Sequence, residues 1–165
     1  MGNDGAGAVH SGVPALVRPG TVSRMPVDQR FGPLIAAWKE AWNEGQVDAL
    51  DQIMMPRYVR HEGGASAVGL AEHKQRIVEV REAFPDLVST VDDIFGDGDR
   101  IAIRWTSVGT QQGEYLGLPP TGRTVTTSGI SIARIEAGKI TEEWVTWDPH
   151  QVLADLGVVQ LTRAT

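Results

Sequence analysis

Gly138-Lys-Ile-Thr-Glu-Glu-Trp-Val-Thr-Trp-Asp148 reads as a β-strand leaving a glycine turn. Strand alternation places Glu142, Trp144, Thr146 and Asp148 on one face and Val145 and Trp147 on the other. Asp148 therefore stands at the strand's end, close to the large aromatic Trp144. A carboxylate held there suits an acid/base catalyst, because burial tunes its pKa toward working pH. It suits equally the N-cap of a helix opening at Pro149, bonding a free backbone N–H. Both readings stand at this level.

Upstream of that strand the period is also two. Leu87–Phe95, Arg100–Gly109 and Arg123–Ile135 are strand-like runs. Gly96-Asp-Gly-Asp99 and Glu136-Ala-Gly138 are tight hairpin turns, since glycine supplies the positive φ they demand. A longer link, Gln111–Gly122, carries the rigid double-proline turn of Gly117-Leu-Pro-Pro-Thr-Gly-Arg123. Before Pro85 the period is helical. Leu34, Ile35, Trp38, Ala41 and Trp42 form one apolar stripe after Pro33, and Gly45 suits the position past the helix end. Asp48 to Met55 reads as a short helix capped by Asp48 and stopped by Pro56. A third helix runs from about Leu70 to Ala83, with Ile77, Val80 and Phe84 inward, and Gln151–Leu156 forms a last one ended by Gly157. Helices first and an antiparallel meander afterwards predict an α+β domain, a cone of curved sheet packed on the N-terminal helices around a hydrophobic pocket.

Composition bounds what such a domain does. The 165 residues suit one domain, and 41% hydrophobic with 22% charged residues is the balance of an ordinary globule. A net charge of −6 argues against nucleic acid or an anionic membrane as the main partner. No apolar run approaches the ~20 residues of a membrane span. With no cysteine, disulfides, thiolate metal sites and thiol catalysis are all excluded. Residues 1–26 show no helical or strand period and no signal-peptide pattern. They read as a flexible extension, or a lid over a ligand, ahead of a domain spanning 27–160 in a cytoplasmic protein.

Candidate chemistry is sparse. Arg104 shares a strand face with Ala102 and Thr106; it is a pocket cation if that face lines the pocket, and a solvated arginine if it does not. His61, in Tyr58-Val-Arg-His-Glu62, belongs to a segment that can enter the sheet edge or the pocket mouth, in a site or a structural role. His73 falls among Glu72, Lys74, Gln75 and Arg76, a solvated face, and His150 reads as exposed. No histidine pair has metal-ligand spacing, no glycine loop is built to cradle phosphate, and no serine sits in a nucleophile elbow. Acid/base chemistry or plain binding in an apolar pocket is what remains.

Several segments together resemble the SnoaL-like polyketide cyclases, a branch of the nuclear transport factor 2-like superfamily. They are Ala41-Trp-Asn-Glu-Gly45, Tyr58-Val-Arg-His61, Phe84-Pro-Asp-Leu87, Gly98 to Trp105, Gly117-Leu-Pro-Pro-Thr-Gly122, Gly129 to Arg134, and Gly138-Lys-Ile through Trp144 to Asp148. They cover about residues 31–157 in the family's order. The resemblance implies a deep hydrophobic pocket, a homodimer, and catalysis without cofactor or metal of an intramolecular aldol ring closure in antibiotic biosynthesis. It implies Asp148 as the acid/base and matches His61 to a histidine that recurs at the pocket; His61 and Arg104 are then the candidate donors to an enolate oxygen. Trp144 would offer a stacking wall, and Trp42, Thr146 and Gln111 complete the substrate-contacting set. The family often reads Gly-Thr-His where this chain reads Gly109-Thr-Gln111, and a neutral amide there cannot shuttle protons. Hydration, epoxide opening or assistance to a hydroxylation in the same pocket, and non-catalytic binding of a small hydrophobic molecule, are the other functions open to this fold.

Overall fold

The computed structural model describes residues 31–63 and 67–159; the expected N-terminal extension lies outside them. The chain runs α1 (Gly32–Glu44), a 3-10 turn (Val47–Ala49), α2 (Leu50–Ile53), β1 (Met54–Glu62), β2 (Val68–Gly69), α3 (Leu70–Ala83), β3 (Val88–Asp97), β4 (Arg100–Thr110), β5 (Thr124–Glu136), β6 (Lys139–Trp147) and α4 (Pro149–Asp155). The strands form one open sheet in the order β2-β1-β6-β5-β4-β3. The α+β class and the meander of the last four strands agree with the sequence reading. The sheet is nevertheless mixed, because β1 lies parallel to β6, with Val59 opposite Glu142 and His61 opposite Trp144.

That pairing corrects the second helix. It ends at Ile53, and Met54 is already extended at φ −116° and ψ 145°. Pro56 therefore lies inside β1 rather than terminating a helix. Proline has no N–H to give to a ladder, and the β1–β6 register shifts between Met54 and Val59, the interval that contains it. Asp48 does not cap; its carboxylate accepts from Lys74 Nζ at 2.9 Å.

Alternation along the sheet sorts residues into two faces. On β6, Thr141, Glu143 and Val145 point to the helices and are buried, while Glu142, Trp144 and Thr146 point away. On β4 the inward set is Ile101, Ile103, Trp105 and Ser107, and Arg104 is outward. The inward aliphatic and aromatic groups pack with Leu34, Trp38, Ala41, Leu50, Tyr58 and Ile77 into the main core. Each fully buried aliphatic side chain there contributes about 1.5–3 kcal/mol. Helix α1 is fixed to β3 by reciprocal bonds: Asn43 Nδ2 donates to Ser89 O at 3.1 Å, and Ser89 N donates to Asn43 Oδ1 at 2.7 Å. Trp38 Nε1 adds a donation to Ser89 Oγ at 3.1 Å.

The β5–β6 hairpin turns on Ala137 and Gly138, both at positive φ (46° and 78°). Glycine accepts this freely, but an alanine Cβ crowds the following carbonyl. Asparagine tolerates the left-handed region and completes the favoured Asn-Gly hairpin pair. Ala137→Asn is expected to stabilise the fold by about 0.5–1 kcal/mol. A higher midpoint in urea unfolding at unchanged slope is the result that checks it.

Candidate active site

Between the inward face of the sheet, α3 and the loop after β4 lies a cavity of about 690 Å³. Its walls are chiefly aromatic and aliphatic: Trp38, Trp42, Phe84, Leu87, Trp105 and Val125. Phe84 and Tyr115 meet edge to face with centroids 5.1 Å apart, building the wall below the loop. Gly129 on β5 is required here. A Cβ at that position would lie 2.4 Å from Trp105 Cζ2, so only glycine lets the indole lie flat on the strand.

Charged groups on the cavity wall come from β1, α3 and, with Glu114, the loop after β4. Inward residues of β1 alternate as Tyr58, Arg60 and Glu62, and α3 presents His73 and Arg76 to the same space. Glu62 is held on both oxygens: Trp147 Nε1 donates to Oε1 at 2.6 Å and Arg76 Nη1 to Oε2 at 3.2 Å. Arg60 Nη2 lies 3.6 Å from the same Oε1. Behind the wall, Arg60 Nη1 donates to Glu143 Oε2 at 3.1 Å, and the Tyr58 hydroxyl donates to that oxygen too. Glu143 is only 1% exposed. Burial pushes its pKa up, but the Arg60 charge and the bonds from Tyr58 and Ser131 outweigh this and hold the carboxyl below its ordinary value. Burial, with Glu143 alongside, pushes the Tyr58 hydroxyl up. His73 moves the other way, down to about 4, through burial first and the nearby Arg60 charge second.

The residues singled out from the sequence stand elsewhere, with one exception. Trp42 lines the cavity. Asp148 does not; its side chain is 67% exposed, and Oδ1 caps α4 by accepting from His150 N at 2.9 Å and Gln151 N at 3.4 Å. Arg104 lies on the outer face, where Nη2 donates to Asp93 Oδ2 at 2.6 Å and Nη1 to Asp92 Oδ2 at 3.1 Å. His61 and Trp144 are outward as well, stacked at 5.3 Å, with His61 Nε2 3.0 Å from Glu142 Oε1. Thr146 shares that exposed face. Gln111 is fully buried but faces the loop, bonding the carbonyls of Gly113, Leu118 and Pro119 and accepting from Thr121 N and Oγ1. His73, read as solvated, is 3% exposed, whereas His150 is exposed as expected. Sequence reasoning missed Arg60, Glu62, His73, Arg76 and Trp147. The available signal was that Arg60 and Glu62 flank His61, so the face opposite that histidine carries two charges.

Among the described residues, no group of three or more His, Cys, Asp or Glu side chains is placed to hold a metal ion, and no helix is long and apolar enough to cross a membrane. An open sheet folded over helices around an aromatic cavity with a few charged groups is the nuclear transport factor 2-like architecture. The family model for SnoaL-like polyketide cyclases matches residues 33–156, and the chain belongs to that family. Among solved structures it is similar to AclR, a suggested hydroxylase from Streptomyces galilaeus, at 28% identity and TM-score 0.71 over 82% of this chain and 89% of that one. TsrD from Streptomyces laurentii shows 29% identity and TM-score 0.73 over 80% and 98%. IdmH from Streptomyces antibioticus, a suggested polyketide cyclase, shows 31% identity and TM-score 0.67 over 79% and 99%. Comparison with curated proteins gave no match.

The His73 shift sets a pH dependence. Its folded pKa of about 4 lies below the ordinary histidine value of 6.5, so the unfolded chain takes up the proton first. Stability is therefore full above pH ~6.5 and falls as pH drops toward ~4. Between pH 7 and 5 this amounts to about 2 kcal/mol. Urea unfolding across that range is expected to show the loss, and His73→Phe to flatten it; a slope unchanged in the variant contradicts the assignment.

Proposed function

We propose that this chain catalyses acid/base chemistry without a cofactor on a polyketide-type substrate bound in the cavity, as an intramolecular aldol ring closure, with Glu62 as the base. The observation that carries this reading is a carboxylate fixed on both oxygens at the wall of a cavity built chiefly of aromatic and aliphatic groups. Glu79, Glu82 and Glu114 also line the cavity, but they are exposed and make no hydrogen bond into it. A base must be aimed as well as present.

In an aldol closure the proton comes from a carbon between two carbonyls, which enol delocalisation has already acidified. Glu62 takes that proton. The enolate oxygen gains negative charge, and Arg60 and Arg76 on the same wall offset it. The nucleophilic carbon then attacks a second carbonyl of the same molecule, and the new alkoxide recovers the proton from Glu62. Trp42, Trp105 and Trp147 offer flat surfaces against which a polycyclic chain stacks and folds. The likeness to AclR supports a second reading, assistance to a hydroxylation in the same cavity.

Asp148 is assigned to helix capping in this scheme. Glu62→Gln keeps the bond from Trp147, and Arg60 and Arg76 retain Glu143 and Glu72 as partners, so folding is expected to survive. Its kcat on a ring-open substrate is expected to fall by about 10²–10⁴-fold. Asp148→Asn, which still accepts a capping bond, is expected to turn over like wild type. The reverse pattern, an active Glu62→Gln and an inactive Asp148→Asn, returns the acid/base role to Asp148.

The outward sheet face supports a homodimer. Ile130 (53% exposed) and Ile132 (45% exposed) stand beside Trp144, with Arg100 and Arg134 placed over that indole at 5.6 and 5.7 Å. Exposed apolar groups rimmed by charged ones mark interaction surfaces, and a two-fold axis lets such a face cover itself. Light scattering at micromolar concentration is expected to give a dimer, and Ile130→Glu with Ile132→Glu a monomer; a monomeric wild type ends the proposal.

A further inference from the structure

His73 is placed unlike any other polar group on the cavity wall. It sits in the first half of α3, 3% exposed, with its ring 6.1 Å from the Trp42 ring and 5.7 Å from the Tyr58 ring. The two aromatics fix the imidazole in orientation. Among the described residues its ring nitrogens have no hydrogen-bond partner, although burying such a group unpaired is costly. Neither nitrogen is sealed in the core either: the sole sealed, unpartnered side-chain atom among the described residues is Trp42 Nε1, on the ring next to it. The His73 nitrogens therefore open on the cavity that the residue lines. An unpartnered polar group on a largely apolar wall is what a site looks like when its ligand supplies the missing bond.

We propose that His73 is a substrate-positioning and specificity-determining residue, a neutral imidazole that donates a hydrogen bond to a carbonyl or enol oxygen of the ligand at the Arg60 side of the cavity. This rests on the cavity being the substrate site, and it goes further by stating where the substrate must carry oxygen. The nearby charges favour an acceptor at that point. Arg60 stands on the same wall with its guanidinium directed at Glu143 and Glu62, and Arg76 contributes a second cation from α3. An oxygen with lone pairs is welcome beside them. A protonated imidazole would add a third positive charge to this corner, and the depressed pKa of His73 keeps the ring neutral at ordinary pH. Neutral imidazole offers one N–H donor and one acceptor nitrogen, so it binds an oxygen without competing for the proton that Glu62 handles. A ligand lacking that oxygen leaves the imidazole unpaired against it, and this is the origin of the discrimination.

Binding of two flat probes of equal shape tests the claim without relying on turnover. 9-Fluorenone carries one carbonyl and fluorene none; both are followed by quenching of the cavity tryptophans. Wild type is expected to bind fluorenone about tenfold more tightly than fluorene, the value of one hydrogen bond that replaces an unpaired group. His73→Phe is expected to bind the two within twofold of each other, with fluorene no weaker than in wild type. The carbonyl stretch of bound fluorenone is expected to shift to lower frequency in wild type and to return toward its apolar-solvent value in the variant. His73→Gln, which keeps an N–H donor, should restore part of both effects, and it serves also if the phenylalanine variant is unstable. A preference for fluorenone that survives in His73→Phe, or an unshifted carbonyl band in wild type, overturns the proposal. Inactivity of a cyclisation assay, or a fully active Glu62→Gln, bears on the proposed reaction and leaves this binding claim standing.

Discussion

The buried contact between Arg60 and Glu143 is the constraint around which the molecule is arranged. It joins the inward faces of β1 and β6, the one parallel pair in the sheet, with a separation of 3.1 Å. Taking two charges out of water is expensive, and such a pair repays the cost only when its remaining hydrogen-bonding groups are satisfied. Here they are. Tyr58 donates to the same carboxylate oxygen, and the outer side of the guanidinium meets Glu62. Loss of either partner would leave an uncompensated charge in the core, which typically costs about 3–5 kcal/mol. Arg60 also borders the cavity, so the pair ties the wall of the site to the parallel seam of the sheet.

The aromatic wall follows from that geometry. With β1 anchored beside β6, α3 packs over β1, and its inward residues His73 and Ile77 face the sheet. His73 lies near the cavity while Ile77 lies in the main core, so one helix serves both compartments. A second, smaller cluster of Ala83, Phe84, Leu87, Val125, Val152 and Leu156 holds α4 against the far end. Asp148 belongs to this second task, since its cap starts the helix that supplies Val152 and Leu156.

Most of the fold was legible in the sequence. The spans of α1, α3 and the last four strands agree with their expected limits to within a few residues, because period, glycine and proline positions all point the same way. The site was less legible. Alternation along β6 gave the correct phase but not the inward side: Glu142, Trp144 and Thr146 do share a face, and it is the outer one. Hydrophobicity could not settle the choice, because the inward set includes the charged Glu143 and the outward set the large apolar Trp144. His73 was misread for a related reason. Its neighbours Glu72, Lys74, Gln75 and Arg76 are polar, and a helix covering a partly charged cavity loses the apolar stripe that marks an inward face. Pairing across β1 and β6 is long-range and has no local signature, so Arg60 and Glu143 announce themselves only once folded.

The Gln111 side chain gives the cavity a property of its own. Its amide ties together the carbonyls of Gly113, Leu118 and Pro119 and the Thr121 hydroxyl, making the strap after β4 a stiff ring rather than a loose flap. Gly113, Tyr115 and Leu116 on that ring border the cavity. A stiff border behaves as a fixed aperture. Traffic through it is then governed by the girth and flexibility of the molecule passing, and slender, jointed molecules thread it more readily than broad fused rings. The residence time of a bound molecule would then be written in the strap, and its recognition in the wall beneath.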